Sequence, residues 1–350
     1  MHTVVDLGVS SSDTAPAAAA RVAIAGATGY TGQELLRILS RHPSVTLTAA
    51  MSSGTTAARK LPALARLWQG DITPLSPDTL RDAEVVFLAL PDAAAAELAP
   101  MLVDAGVRVI DLSGAFRLKD STERARWYPE THRVPADTAY GLTEIERAAV
   151  AAARLIANPG CYPTATLLAL APIAAAGLLV PGVDVVVDAK SGVSGAGKTP
   201  SERTHFSECH GSLAAYGVFG HRHGAEIEQG VAAAAGGAPV VNFVPHLVPL
   251  DRGILSTIYL RLAPGTTEDT LADVFQRAYG AAPFVRLVGS TLPEIKHVAH
   301  TNFCDIGWRV NASGRAVLVS VIDNLLKGAS GQAVQNLNVM LGIDERTALW

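Results

Sequence analysis

Cysteine is scarce: only Cys161, Cys209 and Cys304 occur in 350 residues, an odd set scattered along the chain. That excludes a small disulfide-stapled scaffold and points to reduced thiols and a cytoplasmic setting. Charge is also scarce, at 17% of residues with a formal net of −4. Such a balance gives no electrostatic reason to expect nucleic acid or an anionic membrane as partner. No uninterrupted apolar run approaches the roughly 18 residues of a membrane helix. The opening "MHTVVDLGVSSSDTAPAAAA" lacks the basic start and apolar centre of a secretion signal, and Asp6 and Asp13 fit a transit peptide poorly. Its Ser/Ala/Pro composition predicts a flexible extension over residues 1–20.

What is present is hydrophobic, 49% of the chain, which excludes disorder, and the length predicts two domains. "RVAIAG" reads as a strand, and "YTGQELLRILSRHPSV" carries Leu35, Leu36, Ile38 and Leu39 at helical spacing before Pro43. "VTLTAAM", "AEVVFLALP" and "VRVIDLSG" read as buried parallel strands. This alternation predicts an α/β Rossmann domain with a parallel sheet over residues 21–157. Beyond it, "VDVVVDAK", "PVVNFVPHLVPL", "GILSTIYLRL" and "RAVLVSVID" crowd together with fewer helices between them. An α+β domain with a mixed sheet is expected over residues 158–325. A last helix over 326–350 is expected to pack back on the first domain.

Between the first strand and the first helix stands "GATGYTG". Gly26, Gly29 and Gly32 let the backbone approach a pyrophosphate, with Thr28, Tyr30 and Thr31 beside it and a helix start to supply amide donors. An NAD site usually places an acid about twenty residues on, at the ribose 2′-hydroxyl. Here the second strand ends in "AAMSSGTTAARK". Ser52 and Ser53 can donate to a 2′-phosphate, and Arg59 or Lys60 can neutralise it, so NADP(H) is the expected cofactor.

"GVSGAGKTP" spells a Walker A loop through Gly192, Gly197, Lys198 and Thr199. A true P-loop runs straight into a helix. The following "PSERTHFSECHGSLAAYG" has no sustained apolar stripe and is interrupted by Pro200 and Gly211. The match is read as coincidence of spelling, while its amides with Ser191 and Ser194 can still cradle a phosphate. Ser191 and Gly192 are assigned to the cofactor, Ser194 to the substrate.

In "NPGCYPTATLLALAPIAAAGLL", Pro159 and Gly160 break a strand and a helix is expected from about Pro163. Cys161 then stands at a helix start, where dipole and free amides favour thiolate, so it is the candidate nucleophile; Cys209 and Cys304 are read as structural. A thiolate beside a nicotinamide suggests attack on an activated acyl group and reduction of the thioester to an aldehyde. "HRHGAEIEQ" offers His221 and His223 for proton transfer, with no third ligand nearby to make a metal site. Arg117 in "SGAFRL" and Arg252 in "PLDRGIL" are candidate anion contacts, and Glu226 is a further substrate-binding candidate.

Together "GATGYTG", "FLALP", "NPGCYPTA", "SGVSGAGK", "HRHGAEIEQ", "FVPHLVPLDRGIL" and "DNLLKGASGQAVQN" resemble the N-acetyl-gamma-glutamyl-phosphate reductases of arginine biosynthesis, from Arg21 to Gly342. The resemblance implies a Rossmann domain, a catalytic and dimerisation domain, and a homo-oligomer, dimer or tetramer. It implies NADPH-dependent reduction of an acyl phosphate to N-acetylglutamate 5-semialdehyde, with Cys161 as nucleophile and His221 or His223, the latter preferred, as acid/base. The chain departs from the family at Asp92, Ala115, Gly224-Ala225 and Thr143. A carrier-linked aminoadipyl-phosphate reductase is the nearest alternative, and aspartate semialdehyde dehydrogenase, which shares the architecture, fits the motifs less well. From another class, a non-catalytic NADP-binding regulator remains.

Overall fold

The computed structural model describes residues 20–54, 59–237 and 239–350. The extension expected over 1–20 therefore lies outside the described residues, except for Ala20, which opens the first strand. Seven strands form the first sheet: β1 (Ala20–Ala25), β2 (Val45–Met51), β3 (Ile72–Thr73), β4 (Val85–Leu88), β5 (Arg108–Asp111), β6 (Thr138–Tyr140) and β7 (Leu155–Ala157). Their order is β3-β2-β1-β4-β5-β7-β6, and every neighbouring pair is parallel. Helices cover both faces, which is why β4 is apolar and buried at every residue. The winding reverses between β1 and β4, where Val22 faces Val85 and Ala25 faces Leu88. A doubly wound sheet opens a crevice beyond the strand ends at that point.

The second sheet contains β8 (Val185–Gly192), β9 (Ala214–Ala215), β10 (Val241–Val248), β11 (Ile254–Arg261), β12 (Val285–Gly289), β13 (Cys304–Val310) and β14 (Arg315–Ile322). Its order is β12-β13-β14-β11-β8-β10-β9. β8 runs parallel to β10 and β12 to β13, and the other pairs are antiparallel, so the sheet is mixed. Its inward residues, among them Val185, Val187 and Ile258, pack on the Cys161–Ala175 helix. That helix has almost no polar residue and is covered all round, as a helix without a polar face must be.

After β14 the chain makes a wide π-helical turn over Leu326–Ser330, then a helix over Gly331–Met340. Ala333, Val334 and Leu337 join Leu35, Leu36 and Ile156 in the core of the first sheet. This segment is rich in polar residues yet wholly buried, because its polar groups find partners across the molecule. Lys327 Nζ lies 2.6 Å from Glu144 Oε1. Asn336 Nδ2 donates to the Gly141 carbonyl at 2.8 Å and to Asn158 Oδ1 at 3.0 Å. Asn336 Oδ1 accepts from the Thr143 hydroxyl at 2.6 Å. Buried polar groups tied in this way fix how the segment seats on the site.

Candidate active site

β1 runs through the glycine loop into the Tyr30–Leu39 helix. Gly26 has φ of +90°, and a Cβ there would stand 2.0 Å from the Ala89 carbonyl oxygen. A Cβ on Gly32 would stand 2.2 Å from the Gly26 oxygen, so both positions require glycine for close packing of loop, helix and β4. Gly29 is different: it caps the helix with no side-chain hydrogen bond and has nothing closer than 3.7 Å to its missing Cβ. The amides of that first turn therefore face an open cleft, which fits a pyrophosphate.

The serine pair at the end of β2 divides. Ser53 is exposed. Ser52 is buried, and its hydroxyl donates to the Gly54 carbonyl at 2.8 Å, so its proton turns inward rather than towards a 2′-phosphate. Arg59 pairs through its backbone with Ile72, and Lys60 Nζ donates to the Gln69 carbonyl at 2.9 Å.

A cavity of about 360 Å³ joins this helix start to the predicted nucleophile. Gly29, Tyr30, Thr31 and Gly32 form one wall; Cys161, Gly160, Arg117 and His223 form another; Ser194 to Lys198 close the rim. Cys161 is the first residue of its helix, two positions earlier than expected, with Gly160 as cap. Pro163 sits in the first turn, where its missing N–H costs nothing. The thiol itself departs from expectation. Burial pushes it up to about 11, although the Arg117 charge and the Tyr162 amide pull the other way. The helix start favours thiolate, but desolvation outweighs it at this half-buried side chain, which Gly328 crowds closely enough that a Cβ there would lie 2.8 Å from Cys161 Cβ.

His223 sits against the backbone just before the cysteine: a Cβ on Gly160 would be 2.4 Å from its Nε2. Arg117 Nη1 lies 3.4 Å from the same nitrogen. A guanidinium only donates, so Nε2 is the accepting nitrogen and the ring proton belongs on Nδ1. Burial, and then the charges of His221, Arg117 and Arg222, hold His223 well below the usual histidine range. It is a neutral imidazole at neutral pH, able to take a proton. His221 has a different task. Its Nδ1 accepts the His223 amide at 3.1 Å and caps the Arg222–Ala235 helix, and its ring packs on Tyr162, Tyr216 and Phe243. Burial, then Arg222, push it down to about 4.

Four expected ligand contacts are placed elsewhere. Glu226 is almost fully buried; its Oε1 accepts from the Gly160 amide and the Tyr140 hydroxyl, each at 2.8 Å, and its Oε2 lies 3.5 Å from Arg117. It anchors the cysteine corner and does not line the cavity. Arg252 does not line the cavity, because carboxylates from both halves of the chain hold it: Glu34 at 2.5 Å and Asp323 at 3.6 Å. Ser191 and Gly192 end β8 behind the rim; the serine hydroxyl donates to the Gly192 carbonyl and the Gly192 amide to Gly253. Arg117 does reach the cavity, but its Nε and Nη2 donate to the carbonyls of Asn158 and Leu112, each at 2.8 Å. Ser194 lines the rim, its Oγ accepting from Asn324 Nδ2 at 3.0 Å.

The stretch spelled like a Walker loop leads from β8 into one tight turn over Val193–Ala196, and no helix runs straight on from it; the next helical turns, Glu202–Thr204 and Phe206–Cys209, are short and separate. Among the described residues, no three His, Cys, Asp or Glu side chains gather as a metal site. Sequence reasoning overlooked the Asp92–Arg222 pair across the cleft, in which Asp92 Oδ1 also accepts the Gly114 amide at 2.6 Å. The only signal was the departure at Asp92 itself.

Residues 21–153 match the family described as semialdehyde dehydrogenase, NAD binding domain, and residues 161–324 the semialdehyde dehydrogenase dimerisation domain. Aspartate semialdehyde dehydrogenase II from Vibrio cholerae shares the fold with a TM-score of 0.72 at 19% identity, over 93% of this chain and 99% of that one. The Candida albicans aspartate semialdehyde dehydrogenase, solved with NADP, has a TM-score of 0.67 at 15% identity, over 93% and 99%. Fold and site thus define a semialdehyde dehydrogenase. The N-acetyl-gamma-glutamyl-phosphate reductase of Symbiobacterium thermophilum is 46% identical over 94% of this chain and 97% of that protein, and that of Laribacter hongkongensis 47% identical over the same shares. The chain belongs to the N-acetyl-gamma-glutamyl-phosphate reductase family.

Proposed function

We propose that this chain reduces N-acetyl-L-glutamyl 5-phosphate to N-acetyl-L-glutamate 5-semialdehyde and phosphate, with NADPH as reductant and Cys161 as the acyl carrier. The supporting observation is the shared cavity: the sulfur, a neutral imidazole and an uncapped helix start all face it. NADPH, when bound, supplies the hydride. Gly26, Gly29 and Gly32 are fitted to receive its pyrophosphate, and Ser53, with no acid at the end of β2, suits the 2′-phosphate.

With the thiol pushed up and the imidazole pushed down, a standing thiolate–imidazolium pair is disfavoured. The proton therefore passes from sulfur to His223 Nε2 as the C–S bond forms, replacing the long 3.4 Å contact from Arg117 at that nitrogen. The bond from carbonyl carbon to phosphate oxygen then breaks, and phosphate leaves with the electron pair and takes the proton from His223, departing as hydrogen phosphate. The start of the Cys161 helix, which no side chain caps, supplies amide donors suited to the oxyanion. Arg117, held by Glu226 and two carbonyls, keeps the imidazole oriented. When the aldehyde departs, the C–S electron pair returns to sulfur, which takes up a proton from solvent through His223. The free state of all three thiols supports a cytoplasmic setting, and the matched dimerisation domain supports assembly as a dimer or tetramer.

The test is NADPH consumption by the purified protein with N-acetylglutamyl phosphate, beside a carrier-linked aminoadipyl phosphate. Turnover of the first, lost in Cys161→Ser with NADPH binding retained, is expected. Turnover only of the second reassigns the substrate, and NADPH binding with no turnover of either makes the chain a regulator.

A further inference from the structure

Three cationic side chains line the cleft: Arg117, Arg222 and Lys198. Two of them are neutralised where they stand, Arg117 by Glu226 and Arg222 by Asp92. Lys198 has no carboxylate within ion-pair distance among the described residues. Its Nζ reaches across the cleft to the Thr28 carbonyl at 3.3 Å, a long contact for a charged donor. An ammonium has three N–H donors, so this bond leaves most of its capacity and all of its charge unmatched.

The backbone places it there. Gly197 adopts φ of +84° and ψ of −177°, a conformation essentially reserved for glycine, and so turns the chain out of the Val193–Ala196 turn. On the same rim, Ser194 Oγ accepts from Asn324 and keeps its own O–H to donate. A lone positive charge with a hydroxyl donor beside it, over a cavity that opens on a helix start, is suited to a multiply charged oxyanion.

We propose that Lys198 is the phosphate-binding cation of this cleft. The inference rests on the function proposed above, which brings two phosphate sources to the cavity: the acyl phosphate and the dinucleotide's pyrophosphate. Towards the first, the ammonium takes up the charge that develops as the C–O bond breaks and phosphate departs with the electron pair. Lys198 gives up no proton in that step.

The experiment compares the full-length protein with Lys198→Ala and Lys198→Arg. It measures kcat/KM for N-acetylglutamyl phosphate, KM for inorganic phosphate in the reverse direction, and the NADPH dissociation constant by fluorescence titration. A charge-assisted contact corresponds to about 10- to 100-fold in these constants. Lys198→Ala is expected to lose that much forward kcat/KM and to raise the phosphate KM similarly, with Lys198→Arg near wild type. The same loss confined to NADPH affinity upholds phosphate binding but assigns it to the cofactor. All three constants within about twofold of wild type overturn the proposal. If wild-type protein turns over no acyl phosphate, the functional reading fails separately, and unchanged NADPH affinity in Lys198→Ala then overturns this inference as well.

Discussion

Glu226→Gln isolates the charge that holds the cysteine corner. The substitution keeps shape, and an amide oxygen can still accept the Gly160 amide and the Tyr140 hydroxyl now bound at 2.8 Å. What it removes is the carboxylate 3.5 Å from a guanidinium that is itself only 7% exposed. At that separation and an effective dielectric of about 20, the attraction is about 5 kcal/mol. Arg117 keeps its two carbonyl acceptors, and the lost carboxylate no longer has to be desolvated, so the net loss should be about 3 kcal/mol. An unfolding entropy of about 2.1 cal/mol/K per residue over 350 residues gives on the order of 0.7 kcal/mol/K. Tm should therefore fall by about 4 °C at fixed protein concentration. Tyr140→Phe, which removes one hydrogen bond worth about 1 kcal/mol, should lower it by about 1.5 °C. A Glu226→Gln protein melting within about 1 °C of wild type would refute the anchoring role.

Alkylation of Cys161 by iodoacetamide should accelerate about tenfold per pH unit from neutrality towards 10, because the thiol titrates near 11; a rate already level below pH 8 contradicts the burial argument. His223→Asn should lower kcat by about 100-fold, whereas His221→Asn keeps a side chain that caps the helix well and should leave kcat close to wild type. Equal kcat losses in the two variants would erase that division of labour. Both histidines titrate lower when folded than their ordinary 6.5, so the unfolded chain binds more protons as the pH falls. Their contribution is present above about 6.5 and is lost as the pH drops towards 4, so Tm should decline over that window, and less steeply in His221→Asn. Gly26→Ala should weaken NADPH binding and lower Tm together, given the 2.0 Å approach of a Cβ to the Ala89 oxygen; unchanged values would show that the loop tolerates a side chain.

β1, the glycine loop and the strands β4 and β5 are legible because their signals are local: apolar runs bounded by turn residues. The two-residue β3 is not, since only pairing of Ala50 with Ile72 and of Met51 with Thr73 makes it a strand. The Pro-Gly-Cys corner announces a helix start, but burial decides the thiol's behaviour, and burial depends on Gly328 and other residues distant in the chain. Arg252 and Glu226 look like ligand contacts in isolation. Their partners, Glu34 and the Gly160 amide, lie 218 and 66 positions away, and nothing short-range marks such pairs. The histidines show the same limit. The motif supplies two imidazoles, and only the fold makes one a cap and sets the other against Gly160, next to Cys161 in the chain.

The most direct measurement is mass spectrometry of the protein mixed with N-acetylglutamyl phosphate and no reductant. If Cys161 carries the acyl group, phosphate is released in an amount equal to the enzyme, and the peptide holding Cys161 gains the acyl mass. Phosphate release without that adduct, or an adduct that persists in Cys161→Ser, would contradict it.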